Sequence, residues 1–343
     1  MAQNQAAWLT GASVHPFRVQ DAPYPTAGPG EVVIQNAAVA INPVDWKIQS
    51  YGIFITEFPS ILGEDAAGVV VDVGPGVTRF TKGQRVLAYT HGLSTKNITQ
   101  TSFQKYSVAA EAVTAAIPDS LSFEQASVLP LAVSTASAGL FQDDHLALPF
   151  PSVTPSKPTG KTLLVWGGAS SVGAAAVQLA AAAGLNVIST ASAHNHELVK
   201  SIGASAVFDY NSPTVVDDIA SALASADVAG VYDAISLPSS FEPIKAILEK
   251  INAKVGIATV LPYSGESTAH FAPTSVHAAS IVKEPHKKVS DAVWRDFVTK
   301  ALENGHLKAK PDPEVVGKGL GDIQKAVDLL KKGVSAKKLV VTL

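Results

Sequence analysis

The chain has 343 residues, 47% of them hydrophobic and 16% charged, with a formal net charge of −3. That length suits two domains, and that balance excludes a disordered chain and argues against a general polyanion binder. There is no cysteine, so disulfides, thiolate metal sites and a cysteine nucleophile are all excluded.

The start, Met1-Ala2-Gln3-Asn4-Gln5, lacks the basic and apolar regions of a signal peptide. Residues 31–35 and 68–73 are β-branched runs bounded by Gly and Pro, and Gly74-Pro75-Gly76 and Lys82-Gly83-Gln84 read as turns. The first 130 residues therefore read as an all-β, barrel-like domain. Ser122 followed by Gln125 has the form of a capping box opening a helix. A Pro- and Ser-rich loop occupies 149–158.

Beyond that loop the rhythm alternates. Strands are expected at 162–166, 186–190, 205–208, 228–235 and 254–260, with helices at 172–183, 196–202 and 214–224. Such alternation implies a parallel sheet covered by helices on both faces. The apolar stretch 172–189 carries Gln178 and Asn186, which suits a buried helix and strand better than a membrane span. The cytoplasm is the expected location. After about residue 274 the alternation stops; 291–304 and 322–332 read as amphipathic helices, and 338–343 as a strand that needs the first domain's sheet to join. The expected domains are 1–130, 131–275 and a returning segment, 276–343. From Ile281 to the end there are thirteen Lys or Arg against eight Asp or Glu. These read as solvated helix faces rather than a nucleic-acid patch, since almost no aromatics interleave.

The strongest local signal is Leu164-Val165-Trp166-Gly167-Gly168-Ala169-Ser170-Ser171-Val172-Gly173, where a strand gives way to a helix. Read as G-x-G-x-x-G, Gly168 takes the first position and Gly173 the third, with Ser170 where the second glycine usually stands. Gly168 is expected to permit the tight turn and Gly173 close helix–strand packing, while the amides of Ser170, Ser171 and Val172 meet a pyrophosphate. An NAD site places an acid about 20 residues on, against the ribose hydroxyl. No acid follows Thr190 before Glu197. Ser192, His194 and Asn195, with His196 and Lys200 nearby, are instead donors suited to a 2′-phosphate, and NADPH is the expected cofactor.

These motifs stand in a familiar order. Asn42-Pro43-Val44-Asp45-Trp46-Lys47, Ile61-Leu62-Gly63-Glu64-Asp65-Ala66-Ala67-Gly68, Val73-Gly74-Pro75-Gly76-Val77, Gly83-Gln84-Arg85-Val86, the Gly168–Gly173 turn, Phe208-Asp209-Tyr210 and Lys337-Lys338-Leu339-Val340 together resemble the zinc-lacking branch of the medium-chain dehydrogenase/reductase superfamily. The likeness is greatest to fungal trans-acting enoyl reductases and quinone oxidoreductase-like proteins. It implies an α/β fold: a GroES-like, β-barrel-type catalytic domain joined to a doubly wound Rossmann domain. Zinc-bearing members hold the metal with a Cys, a His-Glu pair and a further Cys or His. Here Pro43-Val44-Asp45 occupies the region of the first ligand and Glu64-Asp65 stands where Gly-His-Glu is usual, so no metal is expected.

The resemblance also places Pro43, Val44, Asp45, Trp46 and Lys47 beside the nicotinamide and ribose. Hydride addition to an enone leaves an enolate, whose oxygen needs a donor and whose α-carbon needs a proton. Lys47 and Thr135 are the catalytic candidates. Tyr210 is expected to flank the adenosine or its phosphate, and Ile257 and Ala258, after the fifth strand, to line the nicotinamide channel through backbone groups. Tyr51 to Ile55, Phe141 to Phe150 and Val276 to Ser280, among them Phe54, Phe141, Leu146, Leu148 and Phe150, are expected to wall an apolar cavity. The activity implied is reduction of a double bond conjugated to a carbonyl, a polyketide-type thioester being one such substrate. Quinone or alkenal reduction, or a non-catalytic, RNA-associated NADPH module, are the alternatives. The expected partners are an apolar small molecule, free or carrier-tethered on a partner synthase, with no nucleic acid and no membrane, in a monomer or homodimer.

Overall fold

The computed structural model describes residues 3–154 and 157–343. Pro155 and Ser156, at the heart of the expected Pro- and Ser-rich loop, and Met1 and Ala2 lie outside the described residues. Chain contacts divide the protein into two compact units, one of Met1–Leu131 with Ala309–Leu343 and one of Ala132–Lys308. Residues 276–308, expected in the returning segment, pack instead within the second unit. Val289, Trp294 and Phe297 are buried there, and Gln178 ties the segment's end by accepting from the Lys308 amide at 2.7 Å.

In the first unit, Glu31–Ala40 is the organising strand. It pairs antiparallel with Asp65–Val73 along its length, with Tyr106–Ala110 near its start and with Lys337–Thr342 near its end. Arg85–Tyr89 and Thr114–Ala116 extend the sheet on one side. The final strand thus joins the first domain's sheet, as its apolar pattern requires. The sequence reading lacked Asp312–Lys318, which pairs parallel with Lys337–Thr342 across the helix Ile323–Lys332. Its Pro, Gly and Glu residues hide the strand pattern. A small sheet of Arg18–Ala22, Asn4–Leu9 and Ser60–Ile61 completes the unit.

The second unit is a parallel sheet in the order Ala206–Phe208, Asn186–Thr190, Lys161–Trp166, Asp227–Asp233, Ile257–Thr259, Thr274–Ser275. Every ladder in it is parallel. The crossovers include the expected helices, now bounded as Ser171–Ala182, His196–Ser201 and Val215–Leu223. The helix Pro238–Lys250 went unseen because Pro243 interrupts its pattern, yet Phe241, Ile244, Ile247 and Leu248 bury its inner face. The expected long helix at 291–304 is instead a π-helical stretch, Asp291–Val298, continuing into the short α-helix Thr299–Glu303. Both units thus take the expected classes, GroES-like and Rossmann-like. Among the described residues, no helix is long and apolar enough to cross a membrane.

Candidate active site

In the first unit the segment Asn42 to Lys47 opens a helix, Pro43–Tyr51. Pro43 sits at its first position, where a missing N–H costs nothing. Asp45 Oδ2 accepts from the Asn42 amide at 2.7 Å, as a third-position acid does at a helix start. That leaves the Asn42 side chain for other work. Its Nδ2 donates to Asp65 Oδ2 at 2.7 Å, and its Oδ1 accepts from Lys338 Nζ. Lys338 Nζ also lies 2.9 Å from Asp65 Oδ2, and Asp65 Oδ1 accepts from the Leu131 amide at 2.6 Å. Two strands and two helix starts thus meet on one buried ion pair.

Two further carboxyls crowd it. Asp45 is 1% exposed, and its Oδ1 has no hydrogen-bond partner among the described residues. Burial, helped by the charge of Asp65, pushes its carboxyl up to about 7 against the pull of the Asn42 amide and Lys338. Glu64 is pushed well above the usual carboxylate range by burial and by the charges of Asp45 and Asp65. The Tyr89 hydroxyl donates to it and itself receives a hydrogen bond from Ser94. Burial likewise keeps His91 below the usual histidine range, hence neutral at pH 7.

Asp45 and Glu64 line a cavity of about 380 Å³ whose remaining walls are largely apolar, including Val44, Ile48, Phe54, Ile55, Ile61 and Leu93. Phe54 is held in the left-handed region at φ 68° and is 70% exposed. The expected wall at 51–55 thus contributes Phe54 and Ile55 to this cavity. The wall expected at 141–150 is different: Phe141, Leu146 and Leu148 are core residues of the second unit, and Phe150 packs on Phe141 with ring centroids 5.6 Å apart. Lys47 is half-buried, with its Nζ 5.7 Å from the Trp46 ring centroid, and desolvation lowers its pKa.

These carboxyls do not suit zinc. Both oxygens of Asp65 are engaged, one of them by an ammonium, and the Glu64 carboxyl favours its protonated form. Zinc prefers cysteine, histidine and free carboxylate donors. Among the described residues no group of three or more His, Cys, Asp or Glu is arranged to hold a metal.

The second unit presents the strand-to-helix turn. Gly167, not Gly168, carries the turn's left-handed conformation, at φ +83°. Gly168 is needed for a different reason: a Cβ there would come within 2.2 Å of Ser189 Oγ. At Gly173 a Cβ would come within 2.1 Å of the Gly167 carbonyl oxygen, so close helix–strand packing does depend on it. Ser170 caps the helix, its Oγ accepting from the Gly173 amide at 3.0 Å. Its own amide donates to the Gly167 carbonyl at 2.9 Å. Of the three amides expected to face a pyrophosphate, that of Ser170 is therefore already used, which leaves those of Ser171 and Val172 in the helix's first turn. The Gly167 amide is also fixed, donating to Thr190 Oγ1 at 2.9 Å.

Ser192, His194 and Asn195 come together at the end of the second strand, where Asn195 Nδ2 donates to Ser192 Oγ at 3.0 Å and His194 Nε2 lies 3.4 Å from the same oxygen. Lys200 is turned to Glu197, at 3.1 Å. Tyr210 is 48% exposed beyond the third strand. Thr135 lies in the helix Pro130–Phe141, 9% exposed, and its carbonyl accepts from the Tyr232 hydroxyl at 2.8 Å. Ile257 and Ala258 do not follow the fifth strand but lie within it, fully buried and paired with Val231 and Tyr232 on one side. Ala258 also pairs with Thr274 on the other. Ladder pairing commits their backbone groups, so they are not free to line a channel.

Comparison with known proteins agrees with the two fold classes. The family described as Alcohol dehydrogenase GroES-like domain matches residues 28–119, and that described as Zinc-binding dehydrogenase matches residues 171–282. Dehydrogenase orsE of Emericella nidulans is 42% identical, with 100% of each chain covered. Trans-enoyl reductase himH of Aspergillus japonicus is also 42% identical, over 98% of this chain and 97% of its own. Among solved structures, a mycobacterial protein complexed with NADPH matches with a TM-score of 0.68 and 25% identity over 100% of both chains.

Proposed function

The chain belongs to the medium-chain dehydrogenase/reductase superfamily of oxidoreductases, and on that premise we propose that it is an NADPH-dependent enoyl reductase that works without zinc. Its substrate would be an apolar acyl compound with a double bond conjugated to a carbonyl, such as a polyketide-type thioester, free or carrier-tethered.

The observation that carries this reading is the ammonium of Lys338 on Asp65. An internal cation occupies one oxygen of the carboxylate that stands in the region of a metal ligand. That supports activation by protein donors instead. The likeness to a trans-enoyl reductase over nearly the whole chain supports the same substrate class.

The residues suit a nicotinamide dinucleotide. Glycines at 168 and 173 clear the close approaches, the Ser171 and Val172 amides offer a helix N-terminus, and Ser192, His194 and Asn195 gather donors where an acid would favour NADH. Tyr210 and the Pro43 to Lys47 helix start are proposed as further contacts. Bound there, the reduced nicotinamide supplies hydride.

Lys47 is proposed to meet the charge that develops on the carbonyl oxygen; its lowered pKa marks a partly desolvated ammonium. Thr135 is proposed as a further hydrogen-bond donor. No nucleic-acid partner is proposed: of the thirteen basic residues after Ile281, Lys287, Lys288, Arg295, Lys310 and Lys338 are each within 2.9 Å of an aspartate of the same chain, which lessens the excess. A cytoplasmic location and a monomer or homodimer complete the proposal. The test is a substrate panel: NADPH consumption with α,β-unsaturated thioesters but not with quinones is expected, and quinone turnover alone would overturn the enoyl assignment.

A further inference from the structure

The first unit's cavity contains a proton source that the roles given to Lys47 and Thr135 leave unused. Glu64 lines the cavity and is 6% exposed. Behind it runs a chain of hydroxyls, with Ser94 donating to Tyr89 and Tyr89 to Glu64. Ser94 is exposed and Tyr89 is 2% exposed, so the chain leads from solvent to the cavity wall.

The charges facing Glu64 come from every side. Asp45 approaches from the helix Pro43–Tyr51, Asp65 from the adjoining strand and Lys338 from the C-terminal strand; Glu57 and Lys96 stand elsewhere on the cavity wall. Burial and two carboxyls outweigh one ammonium, so Glu64 holds its proton more tightly than an ordinary carboxyl. Asp45 lines the same cavity, and its Oδ1 is a buried acceptor. A cavity with many apolar wall residues thus also carries two buried carboxyls, Glu64 and Asp45, which suits an apolar acyl chain bearing a carbonyl.

We propose that Glu64 is the acid of this cavity, contacting the carbonyl end of a bound acyl group and supplying the proton that reduction consumes. The inference rests on the enoyl reductase reading. Hydride addition at the β-carbon sends the π electrons toward the carbonyl as an enolate. The enolate's α-carbon uses that pair to take the Glu64 proton, forming the second C–H bond and leaving Glu64 as carboxylate. A shift along Ser94, Tyr89 and Glu64 returns one proton from water. Lys47 keeps its separate task at the oxygen.

The experiment uses infrared difference spectroscopy on the full-length protein with a saturated acyl thioester, S-butyryl-N-acetylcysteamine. The protonated carboxyl band is expected in the wild type, absent in Glu64→Gln, and shifted when the thioester binds. In turnover of S-crotonyl-N-acetylcysteamine, Glu64→Gln is expected to lower kcat by ~100-fold or more while KM moves little, because the amide still donates a hydrogen bond but transfers no proton. Tyr89→Phe, which keeps the cavity and cuts the relay, is expected to lower kcat by about 10-fold; it decides the matter if Glu64→Gln fails to fold. A band indifferent to the thioester, or kcat unchanged in either variant, would overturn the proposal. Failure of the wild type to consume NADPH would instead sink the reductase reading, and the infrared response would still judge Glu64.

Discussion

The ammonium of Lys338 lies 2.9 Å from Asp65 Oδ2, and solvent reaches only 4% of the one side chain and none of the other. This pair joins the last strand to the start of the strand Asp65–Val73, directly after the cavity-lining Glu64. Breaking a buried pair strands a charge, at a cost of about 3–5 kcal/mol. Lys338→Met is therefore expected to lower the denaturant midpoint sharply. Lys338→Met combined with Asp65→Asn is expected to recover part of the loss. Equal midpoints for wild type and Lys338→Met would show the pair to be dispensable.

Stability should fall as pH rises from acid toward neutral. Burial raises the Asp45 carboxyl from 3.8 to about 7. The folded state thus holds a proton that the unfolded chain has already lost, and stability declines with pH across that window. For one such group the slope is at most ~1.4 kcal/mol per pH unit. Asp45→Asn, neutral throughout, should flatten the decline between pH 5 and pH 7 in thermal melts, with Glu64 maintaining a remainder. A wild type that gains stability over that range would contradict the burial argument.

Gly173→Ala should disturb the nucleotide turn. The added Cβ would come within 2.1 Å of a backbone oxygen that cannot swing aside. Overpacking of this kind costs about 1–3 kcal/mol. It should also weaken dinucleotide binding by more than about 10-fold, since the helix start must shift. Calorimetric titration with NADPH measures both the affinity and whether binding survives.

The nucleotide unit was the more legible of the two in the sequence. Its strands are short apolar runs and its helices fall between them, so alternation alone gave the sheet. Gly173 was readable because its role is one of space. Gly168 was misread because a consensus position does not say which of two adjacent glycines takes the positive φ. Ile257 and Ala258 were placed after a strand whose expected span, 254–260, already held them, and the observed strand Ile257–Thr259 keeps them inside. In the catalytic unit, Glu64 and Asp65 stood out as replacements for metal ligands, yet their real partners, Lys338 and Tyr89, are far away along the chain. Nothing local in the sequence marks such a cluster; it exists only once the strands are in register.

The donors at the end of the second strand should set cofactor choice. Ser192→Asp places a carboxylate beside His194 and Asn195, where a 2′-phosphate would be repelled. The ratio of NADPH to NADH affinity is expected to fall by about 10–100-fold, given roughly 1.4 kcal/mol per tenfold change. An unchanged ratio would place the phosphate elsewhere.

Lys47→Ala and Thr135→Ala should each slow turnover without unfolding the protein. Loss of a donor to a developing oxyanion costs about 10²–10³ in kcat. If both variants turn over like the wild type, the catalytic assignment fails although the cofactor site stands.

The most direct test of metal-free NADPH-dependent reduction is a single assay. Chelator-dialysed protein is mixed with NADPH and an α,β-unsaturated acyl thioester, and the products are weighed by mass spectrometry. One saturated thioester formed per NADPH consumed, at a rate the chelator leaves unchanged, is the expected result. Loss of turnover on dialysis, restored by added zinc, would contradict it.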